Sequence, residues 1–129
     1  MKPNPMDLGV CGVEQLVYAG KVNFDDTKVD EGIALCELPA NIIVTKAVAV
    51  VGTAFNAGTT NVLTVGTNSD VDDILGSGDI TEGTAGAYSA NKFVKYDSKK
   101  TVKAKYTQTG TDATTGDAEI YLFVVRIPE

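Results

Sequence analysis

The sequence predicts an all-β fold: one antiparallel β-sandwich of the jelly-roll kind, with a single short helix near residues 70–75. Three observations predict it. The chain is rich in Val and Thr, whose branched side chains suit a pleated, half-buried surface. Short runs of alternating polarity recur, separated by turn residues that include 13 Gly and 4 Pro. And 129 residues fit one core, with no room for a second.

The elements follow in order. Residues 1–14 carry Pro3, Pro5, Gly9 and Gly12 and read as an extended N-terminal arm ahead of a sandwich domain over 15–129. Gln15–Val22 is a candidate strand, and Asn23–Asp30, with Asp25, Asp26 and Asp30, a polar loop. Gly32–Leu38 is a strand closed by Pro39, which has no N–H for a ladder. Asn41–Val51 is the longest run, with Ile42, Val44, Val48 and Val50 on its bulkier face. Lys46 interrupts that face, so either a bulge intervenes or the lysine stem snorkels at an edge. Asn56 and Gly58 mark a tight return, which predicts a hairpin between Asn41–Val51 and Thr60–Val65.

Within Asn68–Asp79, Ser69 or Asp70 can cap a helical turn that carries acidic residues near its N-terminus and stops at Gly76. Thr81–Ser89 and Lys92–Tyr96 are weaker strand candidates. Thr101–Thr107 alternates cleanly, Val102, Ala104 and Tyr106 against Lys103, Lys105 and Thr107. Gln108–Gly116 is a turn-rich loop. The last strand, Ala118–Ile127, is apolar on both faces: Ile120, Leu122 and Val124 on one, Tyr121, Phe123, Val125 and Ile127 on the other. One face suits the core. The second needs another layer of the domain or a partner subunit, because burial of each such side chain is worth ~1.5–3 kcal/mol. Tyr121, Phe123, Val125 and Ile127 are therefore interface candidates.

Composition narrows the function. The chain has no His, which rules out Ser-His-Asp and Cys-His nucleophilic arrangements and removes the best acid–base group near neutral pH. No enzymatic activity and no cofactor are expected. A net charge of −6 disfavours nucleic acid as the main partner. No run reaches the ~18 apolar residues of a membrane helix. Met1–Asp7 has no apolar stretch of the signal-peptide kind, so synthesis in a cytoplasm is expected. Without a secretory signal, Cys11 and Cys36 read as reduced thiols more readily than as a disulfide.

Two constellations remain. Asp70, Asp72 and Asp73 are weak candidates for a cation site, but their spacing fits no calcium loop, and a capped turn explains them as well. Six of the eleven basic residues lie between Lys92 and Lys105. Lys92, Lys95, Lys103 and Lys105 are candidates for contact with an acidic neighbour. The plainer reading is an edge strand guarded by lysines.

The stretches Leu38-Pro39-Ala40-Asn41-Ile42-Ile43-Val44-Thr45, Ala54-Phe55-Asn56-Ala57-Gly58-Thr59-Thr60-Asn61-Val62-Leu63-Thr64-Val65-Gly66-Thr67 and Tyr106–Ile120 resemble small structural proteins of tailed bacteriophages. The resemblance runs from about Leu38 to the C-terminus. It implies a virion component of the capsid-decoration, head or tail-accessory kind. It further implies self-association, commonly as a homotrimer, contact with the major capsid or another virion protein, and no catalytic residues. The alternative is a host-recognition or carbohydrate-binding module of a tail or fibre. The lack of Trp weakens that reading, while five Tyr remain for stacking.

Overall fold

The computed structural model describes residues 13–67 and 70–127. The expected arm lies almost wholly outside these residues, as does Cys11. Eight strands form: β1 (Glu14–Asn23), β2 (Ile33–Leu38), β3 (Ile42–Thr53), β4 (Thr60–Thr67), β5 (Asp70–Leu75), β6 (Gly86–Tyr96), β7 (Lys100–Thr109) and β8 (Asp117–Arg126). They build two four-stranded antiparallel sheets, ordered β1-β8-β3-β6 and β2-β7-β4-β5. Among the described strands, only β4 and β5 are consecutive within one sheet. Every other connection crosses from one sheet to its partner, which is the wrapping of a jelly roll.

The core lies between the sheets. From the first sheet it takes Val44, Ala47, Ala49 and Val51 of β3 and Ile120, Leu122 and Val124 of β8; from the second, Leu63 and Val65 of β4 and Val102, Ala104 and Tyr106 of β7. The alternation expected for Thr101–Thr107 is thus observed residue by residue. β8 sits between β1 and β3, a central strand, and buries the expected face.

Lys46 is accommodated by a bulge. The β3–β8 register slips between Val44 and Lys46, so Thr45 is the extra residue. Before it, Ile42 and Val44 point inward; after it, Ala47, Ala49 and Val51 do. Val48 and Val50, expected beside Ile42 and Val44, stand on the opposite face.

Three further expectations are corrected. No helix forms near residues 70–75. The segment is β5, paired to β4 through Thr67–Asp70 and Val65–Leu75, with Ile74 and Leu75 fully buried. The carboxylates do bond backbone N–H groups, as caps would, but the donors are not those of a helix. Asp73 accepts from the Thr67 N–H (2.9 Å) and hydroxyl (3.0 Å), and Asp79 accepts from the Gly76 N–H (2.8 Å).

The second correction concerns the hairpin between Asn41–Val51 and Thr60–Val65. β3 and β4 lie in different sheets; β3 pairs with β6 and β8, β4 with β5 and β7. The connection carries Phe55 into the core, 4.7 Å centroid to centroid from Tyr106, so the chain crosses the end of the sandwich instead of doubling back. Third, Thr81–Ser89 is not one strand. Residues 81–85 are loop, and β6 is one continuous strand from Gly86 through Tyr96.

The molecule is bipolar. At one end the long loops knit together: the Phe24 N–H donates to Gly116 O (3.0 Å), Phe55 N–H to Glu82 O (2.9 Å) and Gly58 N–H to Thr111 O (2.8 Å). At the other lie the start of β1, the end of β8 and the short β2–β3 and β6–β7 turns, joined by Asn41 N–H to Tyr96 O (2.8 Å) and Ile127 N–H to Asn41 O (3.0 Å).

Candidate functional site

The feature most suited to recognition is the outer face of the first sheet. Strand alternation places outward every second residue of four strands, and the register aligns them in cross-strand rows. The first row, at the end where β1 begins, reads Glu14, Val125, Ile43, Lys95 from β1 to β6. The second reads Leu16, Phe123, Lys46, Asn91, and the third Tyr18, Tyr121, Val48, Ser89. The fourth reads Lys21, Glu119, Val50, Ala87. Phe93 lies on the same outward alternation of β6, between Asn91 and Lys95.

The middle of this face is aromatic and aliphatic, half-buried by its own neighbours. Tyr18 and Tyr121 meet at 5.2 Å with rings tilted by 53°. The Lys46 ammonium stands 5.4 Å over the Phe123 ring, a cation–π contact that keeps its charge out of the core. The Tyr18 hydroxyl donates to Glu119 at 3.3 Å; partial burial and then that carboxylate push the phenol above its usual range. The Thr45 hydroxyl donates to the Glu14 carboxylate, so the bulge itself ties β3 to β1 across β8.

The edges are barer. Leu16 is 58% exposed and Tyr18 51% on β1, while Phe93 is 82% exposed on β6. These are the large apolar side chains of the face that the single chain covers least.

Of the expected interface residues, Tyr121, Phe123 and Val125 stand together here. Ile127 follows β8 and is half-buried. The lysine segment does not form one patch. Lys95 points outward on β6, where it bridges Asp97 at 2.9 Å, and Lys92 falls on the inward alternation of the same strand. Lys103 and Lys105 belong to β7 and face outward from the other sheet, between β2 and β4. Edge protection by lysine therefore describes β6 but not β7, which is an interior strand.

The acidic trio is divided as well. Asp73 is committed to Thr67 and also accepts from the Tyr96 hydroxyl at 3.3 Å, while Asp72 is exposed. Among the described residues, no group of three or more Cys, Asp or Glu is placed to hold a metal ion. Cys36 is a half-buried free thiol on β2, and burial pushes its pKa up.

Sequence reasoning missed Leu16, Tyr18, Ile43 and Phe93 as members of this face. Leu16 and Tyr18 alternate with Val17, a signal that was available. Phe93 sits between Lys92 and Lys95, and its place on this face follows from outward alternation with Asn91 and Lys95 along β6.

No family model and no curated protein matches the chain. Solved structures do match. The capsid of Ralstonia phage GP4 contains a chain with a TM-score of 0.66 and 17% identity, over 100% of this chain and 92% of that one. The capsid asymmetric unit of cyanophage Pam1 gives 0.64 and 20%, over 93% and 89%. The acid-stable capsid of Helicobacter pylori bacteriophage KHP30 gives 0.62 and 15%, over 88% and 93%. At these identities the likeness shows the fold. It covers 88–100% of the chain and so reaches into the N-terminal third that the sequence resemblance leaves unmatched.

Proposed function

We propose that the chain is a structural protein of a bacteriophage particle, which decorates or stabilises the capsid through contacts with copies of itself and with the shell. The observation that carries this reading is the coincidence of three phage-capsid chains with nearly the whole of this one, 88–100% of its length and 89–93% of theirs.

The geometry supports a role in assembly. One sheet presents Leu16, Tyr18, Tyr121, Phe123, Val125 and Phe93 outward among charged neighbours, a mixed face of the kind that suits a protein–protein contact. The self-association is homotrimeric. Lys103 and Lys105, on the opposite face, are set to meet an acidic neighbour such as the shell surface. In this reading the expected N-terminal arm, residues 1–14, serves attachment to the larger assembly. The protein is made in the host cytoplasm and resides in the virion.

Quantitative mass spectrometry of purified particles of the parent phage tests this. Hundreds of copies per particle are expected. A handful would overturn decoration in favour of a tail or fibre component. Absence from particles would overturn the virion role altogether.

A further inference from the structure

Any cover for the outer face of the first sheet has to meet a cation. Lys46 stands in the second row, over the Phe123 ring. Among the described residues no carboxylate lies within ion-pair distance of it, and Glu14, one row away, is taken by the Thr45 hydroxyl. A charge buried without a partner is costly, so the cover must bring an anion to Lys46.

The chain itself carries a segment of that chemistry, and it enters at the right corner. β1 opens the face at Glu14, and the sequence ahead of it holds the apolar Met6, Leu8 and Val10 beside a single acid, Asp7. Val13 and Leu16, the first large apolar side chains after that segment, are 50% and 58% exposed.

The sheet edges are poor places for the same segment. Extra residues interrupt all four edge strands: Ala19 in β1, Leu35 in β2, residues 71–74 in β5 and Lys92–Phe93 in β6. An interrupted edge does not take up another strand in register. Pro3 and Pro5 also lack the N–H groups that a ladder needs.

We propose that residues 6–11 of this chain pack across the outer face of its own first sheet, with Asp7 paired to Lys46. The distances agree. Lys46 lies two strands and one row from Glu14, ~12 Å along the face. With Cys11-Gly12 as the reversal, where glycine accepts a turn conformation, residues 7–10 span ~13 Å when extended. That length carries Asp7 to Lys46 and sets Leu8 and Val10 over Leu16, Phe123 and Val125. A segment tethered at the corner of the face meets it at an effective concentration on the order of millimolar, which favours the chain's own segment over that of a free copy. Attachment through this arm, on the reading given above, lifts the segment away, so the face opens only on an attached chain. That consequence rests on the phage reading; the packing does not.

The test uses the full-length protein and hydroxyl-radical footprinting. Leu16 and Phe123 should oxidise several-fold faster after deletion of residues 1–12, and also in Leu8→Asp, with unchanged far-UV circular dichroism. Asp7→Lys should expose them too, and Lys46→Asp in the same chain should restore protection. Carbodiimide coupling of mixed isotope-labelled and unlabelled protein should join Asp7 to Lys46 within chains of one label. Equal oxidation with and without the segment overturns the proposal, as does a missing Asp7–Lys46 product. Protection that rises with protein concentration, or coupling between labelled and unlabelled chains, assigns the cover to a second copy and overturns it as well. Copy number per particle is read separately: a bare face on a protein abundant in virions would sink the packing and leave the decoration role standing.

Discussion

Tyr106 shows how one side chain joins two strands of the second sheet to the connection above them. Its ring is buried against Phe55, and its hydroxyl donates to the Asn61 side chain. Asn61 in turn accepts from the Ala57 N–H at 2.9 Å, which pins the connection that crosses the sandwich. Tyr106→Phe keeps the packing and removes one hydrogen bond. A loss of about 0.5–1.5 kcal/mol in urea unfolding is expected. Burial, and then the nearby Glu82 charge, push the Tyr106 phenol above its ordinary value of 10.0. The folded state thus holds this proton more tightly than the unfolded chain. Its contribution to stability is complete below pH 10 and fades as pH climbs through the folded pKa, and Tyr106→Phe should flatten that alkaline decline. Cys36 is predicted to alkylate more slowly in the native protein than in urea at pH 8, as read by peptide mass mapping, because burial raises its pKa and limits access. At Gly116, φ is +145° and an added Cβ would overlap the Phe55 ring. The Phe55 anchor thus depends on a residue that the turn-rich composition of the loop marked only in general terms.

At the scale of elements, β5 and β3 carry the sharpest tests. Asp73 links three strands, as it accepts from Thr67 on β4 and from Tyr96 on β6. Asp73→Ala takes that carboxylate from the buried Thr67 donors, at a cost of about 1–3 kcal/mol. Hydrogen exchange should show β5 opening before the rest of the second sheet; uniform loss of protection would count against a local role. In β3, the bulge makes a paired prediction. Deletion of Thr45 removes the extra residue and leaves Ile42, Val44, Ala47 and Ala49 all facing inward. Deletion of Val48 turns Ala49 and Val51 outward, since a one-residue slip inverts every later side chain. The first variant should fold with a lowered melting temperature, and the second should not fold, as judged by near-UV circular dichroism.

For the whole molecule, the balance of legible and illegible features follows the range of the physics. Alternation at Thr101–Thr107 identified Val102, Ala104 and Tyr106 as inward, because side-chain direction in a strand is a local property with period two. The two apolar faces of Ala118–Ile127 were legible for the same reason, and they pointed to the face on which Tyr121, Phe123 and Val125 lie. The rest of that face was not legible. Leu16 and Tyr18 come from a strand about a hundred residues away, and only pairing of β1 with β8 brings them there. The helix expected near residues 70–75 has the same origin. A carboxylate beside free N–H groups is read locally as a cap, yet Asp73 found its donors on a neighbouring strand. The lysines between Lys92 and Lys105 form a cluster only along the chain, because β6 and β7 belong to opposite sheets.

An antiparallel sandwich without histidine is therefore a matter of sequence alone: strand periodicity, turn chemistry and the absence of His are present in the residues themselves. Which strands are neighbours, and so which side chains share a surface, was decided by tertiary structure. Phe55 and the apolar β3 made that choice, the one by anchoring a crossing connection in the core, the other by demanding a partner on each side. Those contacts are long-range, and no window of the sequence contains both of their ends.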